Sequence, residues 1–493
     1  MCPCNNPAVA NPDRLSGLDS SFLHVERDTA HMHVASCAVF EGPAPAYDDL
    51  LEQIVSRLHL VPRYRQRLAF VPFGQGRPVW IDDPHFNPGY HVRHTALPRP
   101  GGDEELKRLA GRVFSQALDR ARPLWELWLV EGLADGRFAL LSKTHHALVD
   151  GVSGVDIATV LFDSSPDPIP VAPPEHAWIP RPVPSGAQLL ADAMLERATV
   201  PSEIAGGVRA VLSGPRQVAS RLADALVGLG AMTWAGLQPA PPSIFNVRIG
   251  PHRRFTWVQG ELADFRRIKD TLGGTVNDVV LAVVAGALGR YMRLHGYSTN
   301  GVALKAMVPV SVRADIQRGA LGNRVAAMWA PLPVGIIDPA ERLHEITRAM
   351  EGIKQSGQAV GAQVLTQLSG FAPPTIMAQA ARLQARQRLF NLVVTNVPGP
   401  QFPLYMLGRQ LDALFPMVPL AENTALGIAL ISYNGQLNFG LTADYDALAD
   451  VETLAEEIRQ SLDELLGAAS APASNGAGGA PQGLRERAIR AVD

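Results

Sequence analysis

The stretch Lys143-Thr144-His145-His146-Ala147-Leu148-Val149-Asp150-Gly151 carries the groups best suited to move a proton. A free imidazole titrates near neutrality, so it can accept a proton from a hydroxyl at working pH. An alcohol is a weak nucleophile until that proton is taken. A positioned base gives about 10²–10⁴-fold, or roughly 3–5 kcal/mol of barrier. On an extended backbone, adjacent side chains point to opposite faces. His145 and His146 therefore cannot both meet one small substrate. One ring is expected to face a cavity and the other to brace the loop. Gly151 allows a sharp turn or positive φ after Asp150.

Two other readings compete for these residues. A purely structural histidine pair is one. A metal site is the other, since His, His and Asp are ligand types. A zinc site wants three or four convergent ligands, the neighbouring rings diverge, and no nearby His or Cys completes a set. No metal is expected. No Gly-x-Ser-x-Gly elbow and no cysteine lies near the site in sequence, so no acyl-enzyme is expected either.

Secondary-structure signals place this stretch at a strand end. Leu127–Leu133 and Phe138–Thr144 read as strands joined by Ala134-Asp135-Gly136, and a helix is expected over Val152–Phe162. Upstream, Ser16–Asp19 reads as a turn opening a short helix. His33–Phe40 reads as a strand, and Asp48–Leu60 and Glu104–Leu118 as helices. Pro166–Pro184 is proline-rich and reads as a linker. Ser185–Gly236 is Ala/Leu-rich and reads as helical crossover, with a membrane-surface helix as the alternative.

The later half holds an expected helix over Val276–Met292 and strands near Lys305–Val310 and Leu392–Thr395. Leu426–Tyr433 and Gln436–Thr442 form a hairpin signal around Asn434-Gly435. Leu448, Val451, Leu454, Ile458, Leu462 and Leu465 mark a last helix, with Gly467 as its stop. The units expected are a flexible terminus 1–14, a domain 15–165, a linker 166–243, a domain 244–467 and a disordered tail 468–493.

Bulk properties narrow the class. A chain of 493 residues is too long for one ordinary core. With 47% apolar and 18% charged residues it is globular in composition. The formal net charge of −3 shows no basic excess, so no nucleic-acid partner is expected. Three cysteines, Cys2, Cys4 and Cys37, give no disulfide framework, and no signal peptide opens the chain. The longest apolar run, Val279–Gly289, is too short to span a bilayer. A cytoplasmic protein is expected, with peripheral contact to the inner membrane or lipid inclusions left open.

His145-His146-x-x-x-Asp150-Gly151 matches the HHxxxDG motif of the CoA-dependent acyltransferase superfamily. Further blocks are Pro123-Leu124-Trp125, Asn277-Asp278, Pro309-Val310-Ser311-Val312-Arg313 and Asn396-Val397-Pro398-Gly399-Pro400. In this order, over about Leu15 to Leu466, the set resembles the bacterial wax ester synthase/diacylglycerol acyltransferase family. The resemblance implies an α/β (α+β) architecture: two chloramphenicol-acetyltransferase-like domains, a helical linker and an active-site tunnel between them. It implies acyl-CoA as a substrate with no separate cofactor, and diacylglycerol or a long-chain alcohol as acceptor.

By the same resemblance His146 is the general base, His145 its support, and Asp150 a structural carboxylate with Arg313 as a candidate partner. Asn277 reads equally as a donor to the tetrahedral oxyanion or as a helix N-cap. Asp278 reads as a first-turn charge favoured by the helix dipole. Pro123, Leu124 and Trp125 are expected as packing and pocket wall. Asn396, Pro398 and Gly399 read first as a turn and second as tunnel lining. Three further functions compete: a related acyltransferase with another alcohol acceptor, a noncatalytic lipid-inclusion protein with no need for His146, and a metal-dependent hydrolase, which a chelator would separate.

Overall fold

The computed structural model describes residues 13–149, 160–167, 170–196, 239–311, 325–355 and 389–470. The first half runs α1 (Gly17–Val25), β1 (His33–Phe40), α2 (Tyr47–Arg57), β2 (Gln66–Ala69), β3 (Val79–Asp82), α3 (Pro88–His91), β4 (Val92–Ala96), α4 (Asp103–Ser115), β5 (Trp125–Glu131) and β6 (Phe138–His145). A further helix, α5, covers 186–196. The second half runs β7 (Arg253–Glu261), α6 (Leu262–Leu272), α7 (Val276–Leu294), β8 (Leu304–Ser311), β9 (Val325–Leu332), α8 (Pro339–Gln355), β10 (Leu392–Pro398), β11 (Tyr405–Met406), β12 (Arg409–Met417), β13 (Leu426–Tyr433), β14 (Gln436–Asp444) and α9 (Val451–Ser470).

Two six-stranded sheets organise these elements. The first has the order β11-β12-β1-β6-β5-β4, the second β7-β14-β13-β10-β8-β9. Each expected hairpin forms. β5 and β6 pair antiparallel, and β13 and β14 pair from Leu426↔Ala443 to Tyr433↔Gln436. The Asn434-Gly435 turn has φ of 44° and 85°, the doubly positive backbone that tight hairpins need. The helix expected over 152–162 falls mainly on residues outside the described set, as do most of the Ala/Leu-rich crossover and the tail beyond Ser470.

In the second half, α7 is the central core helix. Every residue from Val279 to Ala285 is fully buried, together with Ala287 and Leu288, among side chains of the second sheet and of α6, α8 and α9. An all-apolar helix of this kind needs burial on every side. No single described helix is long and apolar enough to cross a membrane. The apolar run of α7 is therefore spent on the core. Its start is set by Thr275, whose hydroxyl accepts from the Asp278 N–H at 3.2 Å while the Asp278 carboxylate accepts from the Thr275 N–H at 2.8 Å.

Two features depart from the reading of the sequence. α9 runs through Gly467 to Ser470 rather than stopping there. Leu466 and Ala469 both pack on the core, so burial on either side of Gly467 outweighs the roughly 1 kcal/mol that glycine costs a helix. More consequentially, β11 and β12 belong by sequence to the second half but sit in the first sheet, where β12 pairs with β1 from Ala35↔Met417 to Phe40↔Leu411. Alternation within a strand specifies a face, not a sheet.

β12 also makes the seam between halves. A Cβ on Gly440 of β14 would lie 1.7 Å from the Pro416 carbonyl, so the two backbones meet where a side chain cannot fit. A mixed cluster fills the space beside it. It joins Phe114 of α4 and Phe415 of β12 to Phe255 and Trp257 of β7, with Trp257 stacked on Phe415 at 4.7 Å.

Candidate active site

β6 delivers both histidines. It ends at His145, and a turn follows in which the Leu148 N–H donates to the His145 carbonyl at 2.8 Å. The His145 N–H donates to the Leu124 carbonyl at 2.9 Å, and the His146 N–H to the Met32 carbonyl at 2.7 Å. The turn is thus pinned by the chain entering β5 on one side and by the chain entering β1 on the other.

The two rings take different surroundings. His145 is 1% exposed. Its Nδ1 accepts from the Ala147 N–H at 3.0 Å, and its Nε2 lies 3.3 Å from a carboxylate oxygen of Glu26. Nδ1 is thereby an acceptor, which puts the proton on Nε2, facing the carboxylate. A ring with both nitrogens engaged is a brace. His146 is half-buried and lies flat against Phe22, with ring centroids 3.9 Å apart. Its Nδ1 is buried with no hydrogen-bond partner of good geometry. Burial pushes the His146 imidazole below its ordinary value of 6.5; a weak contact with its own carbonyl opposes this, and the neighbouring His145 reinforces it. The ring is therefore neutral at neutral pH, the form that accepts a proton.

Glu26 is a site residue that the sequence reading missed. Its carboxylate faces His145, His31 and His33, and Arg120 donates to it through Nε at 3.1 Å and again through the guanidinium end. Burial works to raise this carboxyl. Hydrogen bonds from His145, His31 and Arg120 outweigh burial and hold it well below the usual carboxylate range. His33 stands directly across from His145 in the β1–β6 register and is 1% exposed. Burial and then the charge of Lys143 keep its imidazole well below the ordinary value. The available signal was spacing: Phe22 and Glu26 are four residues apart at the end of α1, so they share a helix face.

Lys143, in the same stretch, is fully buried and structural. Its Nζ donates to the Val113 and Gln116 carbonyls at 3.0 and 2.9 Å and lies 3.3 Å from Glu126. A cation at the carbonyl end of α4 suits the helix dipole. Among the described residues no group of three His, Cys, Asp or Glu side chains could hold a metal ion.

The remaining candidates fall in several places. Leu124 and Trp125 are packed in the core of the first half, at 0% and 1% exposure, in the cluster that also takes Ala147 and Leu148. Pro123 is buried beside them. Trp125 donates from its ring N–H to the Tyr64 carbonyl at 2.8 Å and stacks on His91. This block supports the histidine turn from behind. Asp150, Gly151 and Arg313 lie outside the described residues.

Asn277 is half-buried in the first turn of α7, and Asp278 is 2% exposed. The N-cap is Thr275, not Asn277, because the Thr275–Asp278 exchange already closes the helix end. Asn396 is half-buried in β10, paired with Leu430. Asn396 to Pro398 thus close a strand rather than form the expected turn, since parallel pairing with β13 runs on to Pro398↔Ser432. Gly399 follows, where a Cβ would lie 2.2 Å from the Ser432 carbonyl. Among the described residues, no hydrogen bond or ring contact joins Asn277 or Asn396 to the histidines.

Two mixed sheets, the first completed by strands β11 and β12 from the later half of the chain and carrying a His-His turn at the close of β6, define the two-domain acyltransferase and condensation fold. The first condensation domain of the calcium-dependent antibiotic synthetase shares this fold, with a TM-score of 0.53 at 16% identity over 95% of this chain and 98% of that one. Residues 15–280 match the wax ester synthase/diacylglycerol acyltransferase catalytic domain, and residues 321–466 match the C-terminal domain of the same family. The chain belongs to the wax ester synthase/diacylglycerol acyltransferase family. It is 33% identical to the probable diacylglycerol O-acyltransferase tgs1 of Mycobacterium tuberculosis, over 92% of this chain and 96% of that one. The wax ester synthase/diacylglycerol acyltransferase from Marinobacter aquaeolei VT8 matches in structure with a TM-score of 0.64 and 30% identity, over 93% of this chain and 100% of that one.

Proposed function

We propose that this chain transfers a long-chain acyl group from acyl-CoA to the free hydroxyl of diacylglycerol, forming triacylglycerol, with His146 as general base. The observation that carries the reading is the half-buried His146 ring, kept neutral by its surroundings in a chain of this family. The acceptor hydroxyl hydrogen-bonds to the imidazole and attacks the thioester carbonyl. The hydroxyl proton passes to His146 as the C–O bond forms. The oxyanion collapses, the C–S bond breaks, and CoA thiolate leaves and takes the proton back. No covalent enzyme intermediate and no cofactor is required.

Asn277 is the proposed donor to the oxyanion. Its side chain is free of the capping duty that Thr275 performs. Asp150, with Arg313 as partner, is the proposed support for the loop after His146. Long-chain alcohols are proposed as a second acceptor class, giving wax esters.

We place the protein in the cytoplasm, with peripheral contact to a membrane or lipid inclusion. Phe73 is 87% exposed and Phe70 53% exposed in the β2–β3 connection, and Met194 and Leu195 are exposed on α5 beside it. Leu189 and Ala193 of α5 pack on Val71 and Val79, so these side chains belong to one small lobe. Exposed apolar clusters of this kind mark interaction sites, and the acceptor is itself a bilayer lipid.

The test is acylation by purified protein with labelled palmitoyl-CoA and a panel of diacylglycerol, monoacylglycerol and long-chain alcohols. Labelled triacylglycerol from wild type, lost in His146→Ala, is the expected result. Equal product from both proteins removes His146 as base. Folded wild-type protein that acylates nothing in the panel favours another acceptor or a noncatalytic lipid-inclusion role.

A further inference from the structure

We infer that Glu26 is the positioning residue of the histidine turn: it fixes His146 from both flanking backbones without meeting the reacting atoms. The inference rests on reading His146 as the base. Glu26 caps the C-terminus of α1, where its N–H donates to the Phe22 carbonyl at 3.2 Å. One carboxylate oxygen faces the His145 Nε2–H at 3.3 Å. The other accepts from the Met32 N–H at 3.4 Å. Both contacts lead to His146 by a single further bond. From His145 the route is covalent, and the Ala147 N–H closes on His145 Nδ1 just beyond it. From Met32 it is the carbonyl that accepts the His146 N–H at 2.7 Å.

One carboxylate therefore ties together the two strands of backbone that hold the base. Phe22, one helical turn earlier, lies against the ring itself. The end of α1 thus grips the turn at three points. The side chain is suited to the task because it stays ionised where it sits. Arg120 donates to the same oxygen that faces His145, while His31 and His33 lie beside the oxygen that accepts from Met32, and hydrogen bonds to a charged acceptor are about twice as strong as neutral ones.

Removing the carboxylate would strand the buried His145 N–H and release Met32. A base displaced by about 1 Å can lose on the order of 10²-fold in rate. Glu26→Ala is therefore expected to lower kcat by about 10- to 100-fold with KM for acyl-CoA changed less than about twofold. Glu26→Gln keeps the shape and one acceptor oxygen, so its kcat falls between wild type and Glu26→Ala. The acid limb of the pH–rate profile keeps its position in both variants, since His146 remains the base while its placement suffers.

The deciding comparison uses the full chain in a His146→Ala background. If Glu26 acts through His146, adding Glu26→Gln there changes the residual rate by less than about twofold. Two results overturn the inference. One is folded Glu26→Gln with wild-type kcat. The other is a Glu26→Gln loss that persists undiminished when His146 is already gone. Should Glu26→Ala fail to fold, Glu26→Gln carries the test alone. Should His146→Ala be as active as wild type, the base assignment itself falls, which the same assay shows separately.

Discussion

Phe22 and His146 lie face to face, centroids 3.9 Å apart and planes 20° from parallel, although 124 positions separate them in the chain (146 − 22). The stack leaves the imidazole little freedom to rotate. A stacked aromatic pair is worth about 0.5–1.5 kcal/mol beyond its buried area. Phe22→Ala is expected to lower kcat by roughly fivefold, the equivalent of about 1 kcal/mol. Steady-state acylation kinetics check this, and an unchanged kcat would show that the stack does not hold the ring.

The pH dependence follows from burial of the same ring. A base must be neutral to accept a proton, so activity is present above its pKa and lost as pH falls through it. Burial moves the His146 pKa below its ordinary 6.5. The acid limb of kcat/KM should therefore have its midpoint below 6.5, with a plateau through neutral pH. A profile of the wild-type enzyme with a midpoint at or above that value would contradict the burial argument.

At the start of α7, Thr275→Ala removes half of a capping box and leaves the buried Asp278 carboxylate without one of its donors. Loss of such a cap costs about 0.5–2 kcal/mol. Urea denaturation should show destabilisation in that range, and a stability equal to wild type would mean that α7 does not depend on this end.

Gly440→Ala places a methyl group against the Pro416 carbonyl, at 1.7 Å in the unrelaxed structure. Overpacking usually costs about 1–3 kcal/mol, and backbone can yield less than a side chain, so roughly 3 kcal/mol is expected. The thermal midpoint of the variant should fall by several degrees. A neutral substitution would show that the seam is looser than drawn.

Local chemistry made much of this molecule legible from sequence. The Asn434-Gly435 hairpin, the strand that delivers His145 and the buried α7 follow from turn residues and apolar periodicity. The divergence of adjacent side chains on a strand foretold that the two histidines would take unlike partners. What stayed hidden depends on distance through space. Glu26 carries no signal of its own, because a lone carboxylate after a helix reads as solvated surface. It becomes a site residue when β1 and β6 align His33 with His145 beside it. Thr275 was overlooked as a cap because Asn277, two residues later, is an equally good capping type. Residues 409–417 fall within the later unit 244–467 by sequence, and nothing local to them signals that they complete the first sheet, because alternation fixes a face and not a sheet.

That borrowed strand has a consequence for how the protein is made. β1 lies between β6 and β12, so until residues 409–417 arrive it is an open edge. Its side chains include Cys37, Val39 and Phe40, all buried in the finished fold. An unpaired apolar edge is a template for association with other chains. During synthesis the first sheet must wait, incomplete, until the 271 residues that follow the histidine turn through the end of β12 have also left the ribosome (417 − 146). Nascent chains stalled before that point would be substrates for chaperones or for aggregation, whatever the quality of the half already made.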